Sequence, residues 1–319
     1  MKVTDYFAAA GGNALISFEV LPPLKGGSMQ SIFETLDPLM EFKPPFIDVT
    51  YHREDFEYVK RPGGHYEKTA IRKRPGTVGI CASITQRYGV DAVPHLLCGG
   101  FSVAETENVL IDLNFLGIHN VLALRGDARH FDGKFVPEDD GHHYASDLVS
   151  QISGMNKGQY LDEHIQDSNG SDFCIGVAGY PEKHFEAPNL DIDLRWLKAK
   201  VDAGADYIVT QMFFDNQVYF DFVDACRKAG INVPIVPGIK PLTKAYQLKS
   251  IPRLFHVNIP QALVDAVEAV DGDKKKVRQV GTEWCTAQSK ELKERGVPCL
   301  HYYTMGDAKT IRRIAEQVF

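Results

Sequence analysis

Short apolar runs rich in β-branched and aromatic residues recur at wide spacing along the chain. They are ALISFEV (14–20), FIDVTY (46–51), TVGICASI (77–84), NVLALRGD (120–127), FCIGVAGY (173–180), YIVTQMFF (207–214), PIVPGIK (234–240) and PCLHYYTM (298–305). Near-continuous apolarity, rather than alternation, marks strands buried on both faces of a parallel sheet. Between the runs, apolar residues fall at helical spacing. Residues 29–42 form one such segment, interrupted by Pro38. Residues 103–117, 191–204 and 217–230 each close on a glycine, as helix C-termini often do. Two further helices are predicted over 261–271 and 273–295, and a last one over 307–318. Eight strands alternating with helices predict an α/β fold, a (β/α)8 TIM barrel, as a single domain over 1–319. An open doubly wound sheet is the alternative. The polar segment ARHFDGKFVPEDDGHH (128–143) reads as a long loop, of the kind that often carries function.

Composition narrows the function. A net charge of −7 leaves nothing to offset phosphate repulsion, so nucleic-acid binding is not expected. No apolar run is long enough to span a membrane, and MKVTDYFAAAGGNAL lacks the apolar core of a signal peptide. The six cysteines, at 81, 98, 174, 226, 285 and 299, show no CxxC spacing, and most lie in apolar strand-like or helix-like runs. Reduced, buried thiols in a cytoplasmic protein are therefore expected, and no metal site is signalled. His142 and His143 stand in an acidic loop but not at the HxxxH or HExxH spacing of a zinc site. No glycine-rich Rossmann or P-loop signature and no GxSxG elbow occurs.

Barrel active sites lie at the carboxyl ends of the strands. The polar residues expected there are Glu19, Thr50, Tyr51, His52, His95, Arg125, Asp127, Tyr180, Glu182, His184, Gln211, Asp215, Lys240 and the His301–Thr304 stretch. Glu19 sits inside an apolar strand. It is either one half of a buried ion pair or a carboxyl that keeps a proton for transfer. Asp127 either caps a turn or is delivered into the site. Gln211, flanked by apolar residues, needs hydrogen-bond partners from backbone or ligand. Lys240 at a strand end leaves a Schiff-base lyase open. A noncatalytic binding protein is a third reading, which two carboxylates at the mouth disfavour.

SFEVLPP, DVTY, PHLLC, ALRGD, HYASDLV, GYPEKHFEA, KVDAGADYIVTQMFFD, VPGIKPLT and LHYYT occur in this order between about residues 16 and 304. Together they resemble the methylenetetrahydrofolate reductases, in the short bacterial form without a C-terminal regulatory domain. The resemblance implies a barrel holding FAD noncovalently, reduced by NADH or NADPH. It further implies ping-pong conversion of 5,10-methylenetetrahydrofolate to 5-methyltetrahydrofolate for methionine synthesis, in a homo-oligomer. It places Glu19 as general acid and Asp127 beside the flavin and the folate. Gln211 and Gln247 would contact substrate, together with those two carboxylates. Thr50, His95, Leu124, Arg125, Gly126, Asp127, Tyr144, Ala145, Tyr180, His184, Asp193 and Lys200 match FAD contacts. Arg125, His184 and Lys200 would serve the pyrophosphate and ribose, and Tyr180 the ring. Three positions depart from the family pattern. Asp307 stands where an arginine is usual, with Lys309 nearby. His52 and Arg53 replace small residues after DVTY. Ile251 falls where an aromatic often covers the site.

Overall fold

The computed structural model describes residues 1–128 and 133–319. In chain order it runs α1 (Val3–Ala9), β1 (Leu15–Val20), α2 (Gln30–Leu36), β2 (Phe46–Val49), β3 (Asp55–Lys60), β4 (Tyr66–Ile71), α3 (Thr77–Tyr88), β5 (Asp91–Leu97), α4 (Val103–Phe115), β6 (Asn120–Leu124) and α5 (Ala145–Asn156). There follow β7 (Cys174–Gly179), α6 (Leu190–Asp202), β8 (Tyr207–Thr210), α7 (Asn216–Lys228), β9 (Ile235–Val236), β10 (Gly238–Ile239), α8 (Gln247–Phe255), α9 (Gln261–Glu268), α10 (Lys274–Glu294), β11 (Cys299–Tyr303) and α11 (Ala308–Val318).

All the strands except β3 and β4 pair in parallel, in the order β10-β11-β1-β2-β5-β6-β7-β8-β9. β9 and β10 are one stave interrupted at Pro237, which has no N–H to give to a ladder. Its first half pairs with β8 and its second with β11, so the sheet closes. This is the (β/α)8 barrel that the apolar runs predict. Helices wrap the outside over one large apolar cluster that runs from Ile16 to Val318. Inside the amino-terminal end, Phe46, Val93, Leu122, Tyr207 and Val236 pack together, and α1 plugs that end with Val3. Phe7 adds edge-on contacts to the Phe46 and Tyr207 rings, both at 6.2 Å between centroids.

The third expected strand is corrected. TVGICASI begins α3, whose buried positions Thr77, Ile80, Cys81 and Ile84 are three and four apart, the helical period. The third stave is instead β5, DAVPHLL, where Asp91, Pro94 and His95 break the apolar run. Proline argues against a strand, and here it sits inside one. A hairpin, β3 with β4, also went unforeseen. It lies between β2 and α3, turning through Gly63 and Gly64. Pro38 ends α2 at Leu36, and a 3-10 turn over Asp37–Phe42 carries the chain on. Of the 128–143 loop, residues 129–132 lie outside the described residues, and 133–143 hold no helix or strand.

Candidate active site at the carboxyl ends of the strands

Alternation along each stave sends every second side chain into the barrel. On β1 these are Ser17 and Glu19, on β2 Asp48, on β5 His95 and on β11 His301 and Tyr303. They meet near the barrel axis. Glu19 is nearly buried, and its Oε2 lies 3.6 Å from His95 Nε2 and 4.0 Å from His301 Nε2. Asp48 is fully buried, with Oδ2 3.5 Å from the same His95 nitrogen. Ser17 Oγ holds His301 Nδ1 at 2.8 Å. The Tyr303 hydroxyl donates to the Thr210 carbonyl at 2.7 Å, and the Tyr303 ring stands edge-on to His301. Glu19 thus lies beside two histidines, which pair with it when they are protonated.

Above this group, β6 ends in Leu124, Arg125, Gly126 and Asp127. Gly126 has φ +86°, a left-handed conformation, and a Cβ there would meet Leu97 Cδ1 at 3.2 Å. The turn leaves Asp127 exposed at the rim, where its charge and that of Glu19 both reach His52. Burial pushes the His52 imidazole down, Arg74 and His95 add to this, and the two carboxylates oppose it. Arg53 spans the mouth, donating to the Asp127 carbonyl at 2.7 Å. Phe135 lies under both Arg53 and Arg125, at 5.8 and 5.1 Å from its ring centre.

A basic flank follows. Arg125 forms a two-pronged pair with Glu186, at 2.6 and 2.9 Å. Asp193 Oδ2 accepts from the His184 backbone N–H at 2.9 Å, and Tyr180 stands edge-on to the His184 ring. Lys200 donates to the Ala178 carbonyl. Burial lowers its ammonium to about 8, Asp193 opposing and Arg125 adding to the shift. Burial, then Arg125, also lower His184, to about 4. Burial is the main cause of both lowered values, and neighbouring cations add to it. A bound dianion would oppose both shifts, so this donor set fits the diphosphate of a dinucleotide.

Comparison with known proteins decides the family. The family model for methylenetetrahydrofolate reductase matches residues 5–318. The chain belongs to the methylenetetrahydrofolate reductase family. It is 34% identical over 302 residues to the 5,10-methylenetetrahydrofolate reductase of Escherichia coli, covering 95% of this chain and 90% of that protein. It is also 34% identical to methylenetetrahydrofolate reductase (NADH) 1 of Arabidopsis thaliana, covering 97% of this chain and 49% of the plant protein. The chain thus spans about half the length of the plant relative. A solved Clostridium thermocellum protein, described as binding two copies of 5-methyl-5,6,7,8-tetrahydrofolic acid, shares the fold. Its TM-score is 0.56 at 13% identity, with 99% of each chain covered.

Within this reductase-family frame, the remaining residues divide. Thr50 continues β2 at the rim, its N–H donating to the Val20 carbonyl at 3.1 Å. Gln211 turns its Oε1 back to the Met212 N–H at 2.9 Å, which leaves its amide N–H groups for another partner. Gln247 is buried, and its Oε1 accepts from the Thr243 and Lys244 N–H groups at 2.8 and 2.9 Å. Its oxygen is engaged in ordering the loop before α8. Tyr144 and Ala145 open α5, with Tyr144 exposed. Asp307 caps α11 and pairs with Arg278 at 2.6 Å, while Lys309 is exposed. The position where the family usually has arginine therefore has a structural role here. Ile251 is buried in an apolar cluster that includes Met212, Phe214, Leu242 and α9–α10 residues. Lys240 is half-buried, and burial lowers its ammonium against the charge of Asp307. His142 bonds Gln151 at 2.6 Å. All six cysteines are free and buried. Among the described residues, no helix is long and apolar enough to cross a membrane. Reading the strand ends missed Asp48. Its signal was present: it shares the inward phase of Phe46 and Thr50 in an otherwise apolar strand.

Proposed function

We propose that this chain reduces 5,10-methylenetetrahydrofolate to 5-methyltetrahydrofolate, with FAD held noncovalently and NADH or NADPH as donor. The observation that carries the reading is the placement of Glu19 beside His95 and His301 at the carboxyl ends of the strands, in a chain of this family. Relatives are named for NADH in Arabidopsis and, as a probable enzyme, for NADPH in Caenorhabditis elegans, so either donor suits the family. Arg125, His184 and Lys200 would hold the flavin's diphosphate, with Asp193 orienting the His184 loop and Tyr180 toward the ring. FAD, when bound, supplies hydride transfer between the two substrates, which use one mouth in turn.

The chain's own residues do the rest. Opening the methylene bridge leaves a positive iminium carbon and a nitrogen that must gain a proton. Asp127, exposed at the rim, sets negative charge beside the cation. Glu19 gives its proton to the departing nitrogen. The free N–H groups of Gln211 are available to orient either substrate. Uptake of FAD is the first test. The purified protein should show a flavin spectrum that bleaches with anaerobic NADH or NADPH. A colourless protein that takes up no added FAD contradicts the proposal.

A further inference from the structure

The basic flank of the mouth contains an acid. Arg125 Nη1 and Nη2 each donate to a different oxygen of Glu186, at 2.6 and 2.9 Å. Two parallel bonds of this kind are also how a guanidinium grips a phosphate. The carboxylate therefore takes the end of the fork that a phosphate would use. Glu186 is joined to the same flank through its backbone, since its N–H donates to His184 Nδ1 at 3.2 Å.

The loop that carries Glu186 is tied down around it. The Ala187 N–H donates to the His184 carbonyl at 3.0 Å. Lys183 Nζ donates to the His184 and Ala187 carbonyls at 3.3 and 2.8 Å. Asp193 accepts from the His184 N–H at 2.9 Å. The Glu186 side chain, by contrast, is 32% exposed. It can turn into water by rotation about its own bonds, without any movement of this backbone.

We propose that Glu186 competes with the dinucleotide's diphosphate for Arg125 and releases the guanidinium when the cofactor binds. This rests on the proposed function, in which Arg125 holds that diphosphate. Glu186 thereby weakens cofactor binding rather than adding to it. A carboxylate left on Arg125 would stand close to a bound dianion, and like charges so near one another repel. Turning away costs little, because an ion pair this open to water contributes only modestly and the freed carboxylate is solvated. The bonds from Arg125 hold the Glu186 carboxyl below its ordinary range, against the opposing effect of burial. Glu186 is therefore charged at neutral pH, and until the cofactor arrives it offsets the positive charge of the flank.

The test measures affinity rather than turnover. Wild-type protein and Glu186→Gln are titrated with FAD, followed by flavin fluorescence, and with inorganic pyrophosphate, followed by calorimetry. Glutamine keeps the shape and removes the charge, so the variant should bind FAD about three- to tenfold more tightly. Equal or weaker FAD binding by the variant overturns the proposal. Weaker binding is the result expected if Glu186 only holds Arg125 in place. If neither protein takes up FAD, the flavin reading falls and pyrophosphate decides the role of Glu186. Tighter pyrophosphate binding by the variant then keeps Glu186 as a competitor for an anion at Arg125. Equal, weaker or no pyrophosphate binding removes it. Should Glu186→Gln fail to fold, a crystal structure of the wild-type protein soaked with FAD or pyrophosphate takes its place. Phosphate oxygens on both Arg125 Nη atoms, with Glu186 turned away, are expected. The Arg125–Glu186 pair intact beside a bound diphosphate, or no diphosphate at Arg125, overturns the proposal.

Discussion

In the proposed reaction, Glu19 and Asp127 would occupy the two ends of one problem, the delivery of a proton and the stabilisation of a cation. Glu19 is held by two imidazoles in a nearly dry setting, while Asp127 stands exposed on a glycine turn. Their substitutions should therefore differ. Glu19→Gln keeps the shape but removes the proton source. Stopped-flow absorbance should show the folate half-reaction slowed by about 10²-fold or more, with the nicotinamide half-reaction changed by less than about tenfold. Equal loss in both would reduce Glu19 to a structural ion-pair partner. Asp127→Asn keeps size and hydrogen-bonding capacity but removes the charge. The folate half-reaction should slow by about 10²-fold while FAD stays bound. Unchanged folate reduction would make Asp127 a turn residue and nothing more. At this scale the sequence shows both carboxylates, because each interrupts or ends an apolar run. Asp48 was overlooked because attention to strand ends excludes a residue one layer deeper, and His95 lies within its strand rather than after it.

Among the elements, periodicity was read correctly where a run had one strong phase and misread where two phases competed. TVGICASI supports both an apolar strand and a helix with one buried face. Its buried positions are the helical ones. DAVPHLL hid behind Pro94, which pairs in register with Val49. The β3–β4 hairpin carries few buried side chains, so its apolar signal was weak. The helices with clear starts fared better. Asp215, Asp273 and Asp307 each cap the helix that follows by accepting a backbone N–H. Packing between elements supplies its own prediction. α10 passes so close to the loop after β10 that a Cβ on Gly281 would fall 1.5 Å from the Leu242 carbonyl oxygen. That oxygen belongs to backbone and cannot swing aside. Gly281→Ala should therefore destabilise the fold by about 1–3 kcal/mol or more in chemical denaturation. A midpoint equal to wild type would show that the loop moves freely.

For the whole molecule, the barrel brings residues from β1, β2, β5, β6, β8 and β11 to one mouth, although they are spread from Glu19 to Tyr303 in sequence. No local pattern expresses that convergence. The barrel reading did, because parallel staves all end on the same side. Chain spacing alone does not signal a flavin, since the contacts that the family resemblance implies would be dispersed over many loops without a glycine-rich signature. The ordered set of strand-end segments reveals the family, and under the proposed function Arg125, His184 and Lys200 would hold the diphosphate of a dinucleotide. The most direct test of the central claim is anaerobic turnover. The protein is mixed with FAD, 5,10-methylenetetrahydrofolate and NADH, or NADPH in a parallel run, and folates are quantified by mass. The account predicts 5-methyltetrahydrofolate formed in step with nicotinamide oxidised. Nicotinamide oxidation without that product, or no reaction with either donor in flavin-loaded protein, would contradict it.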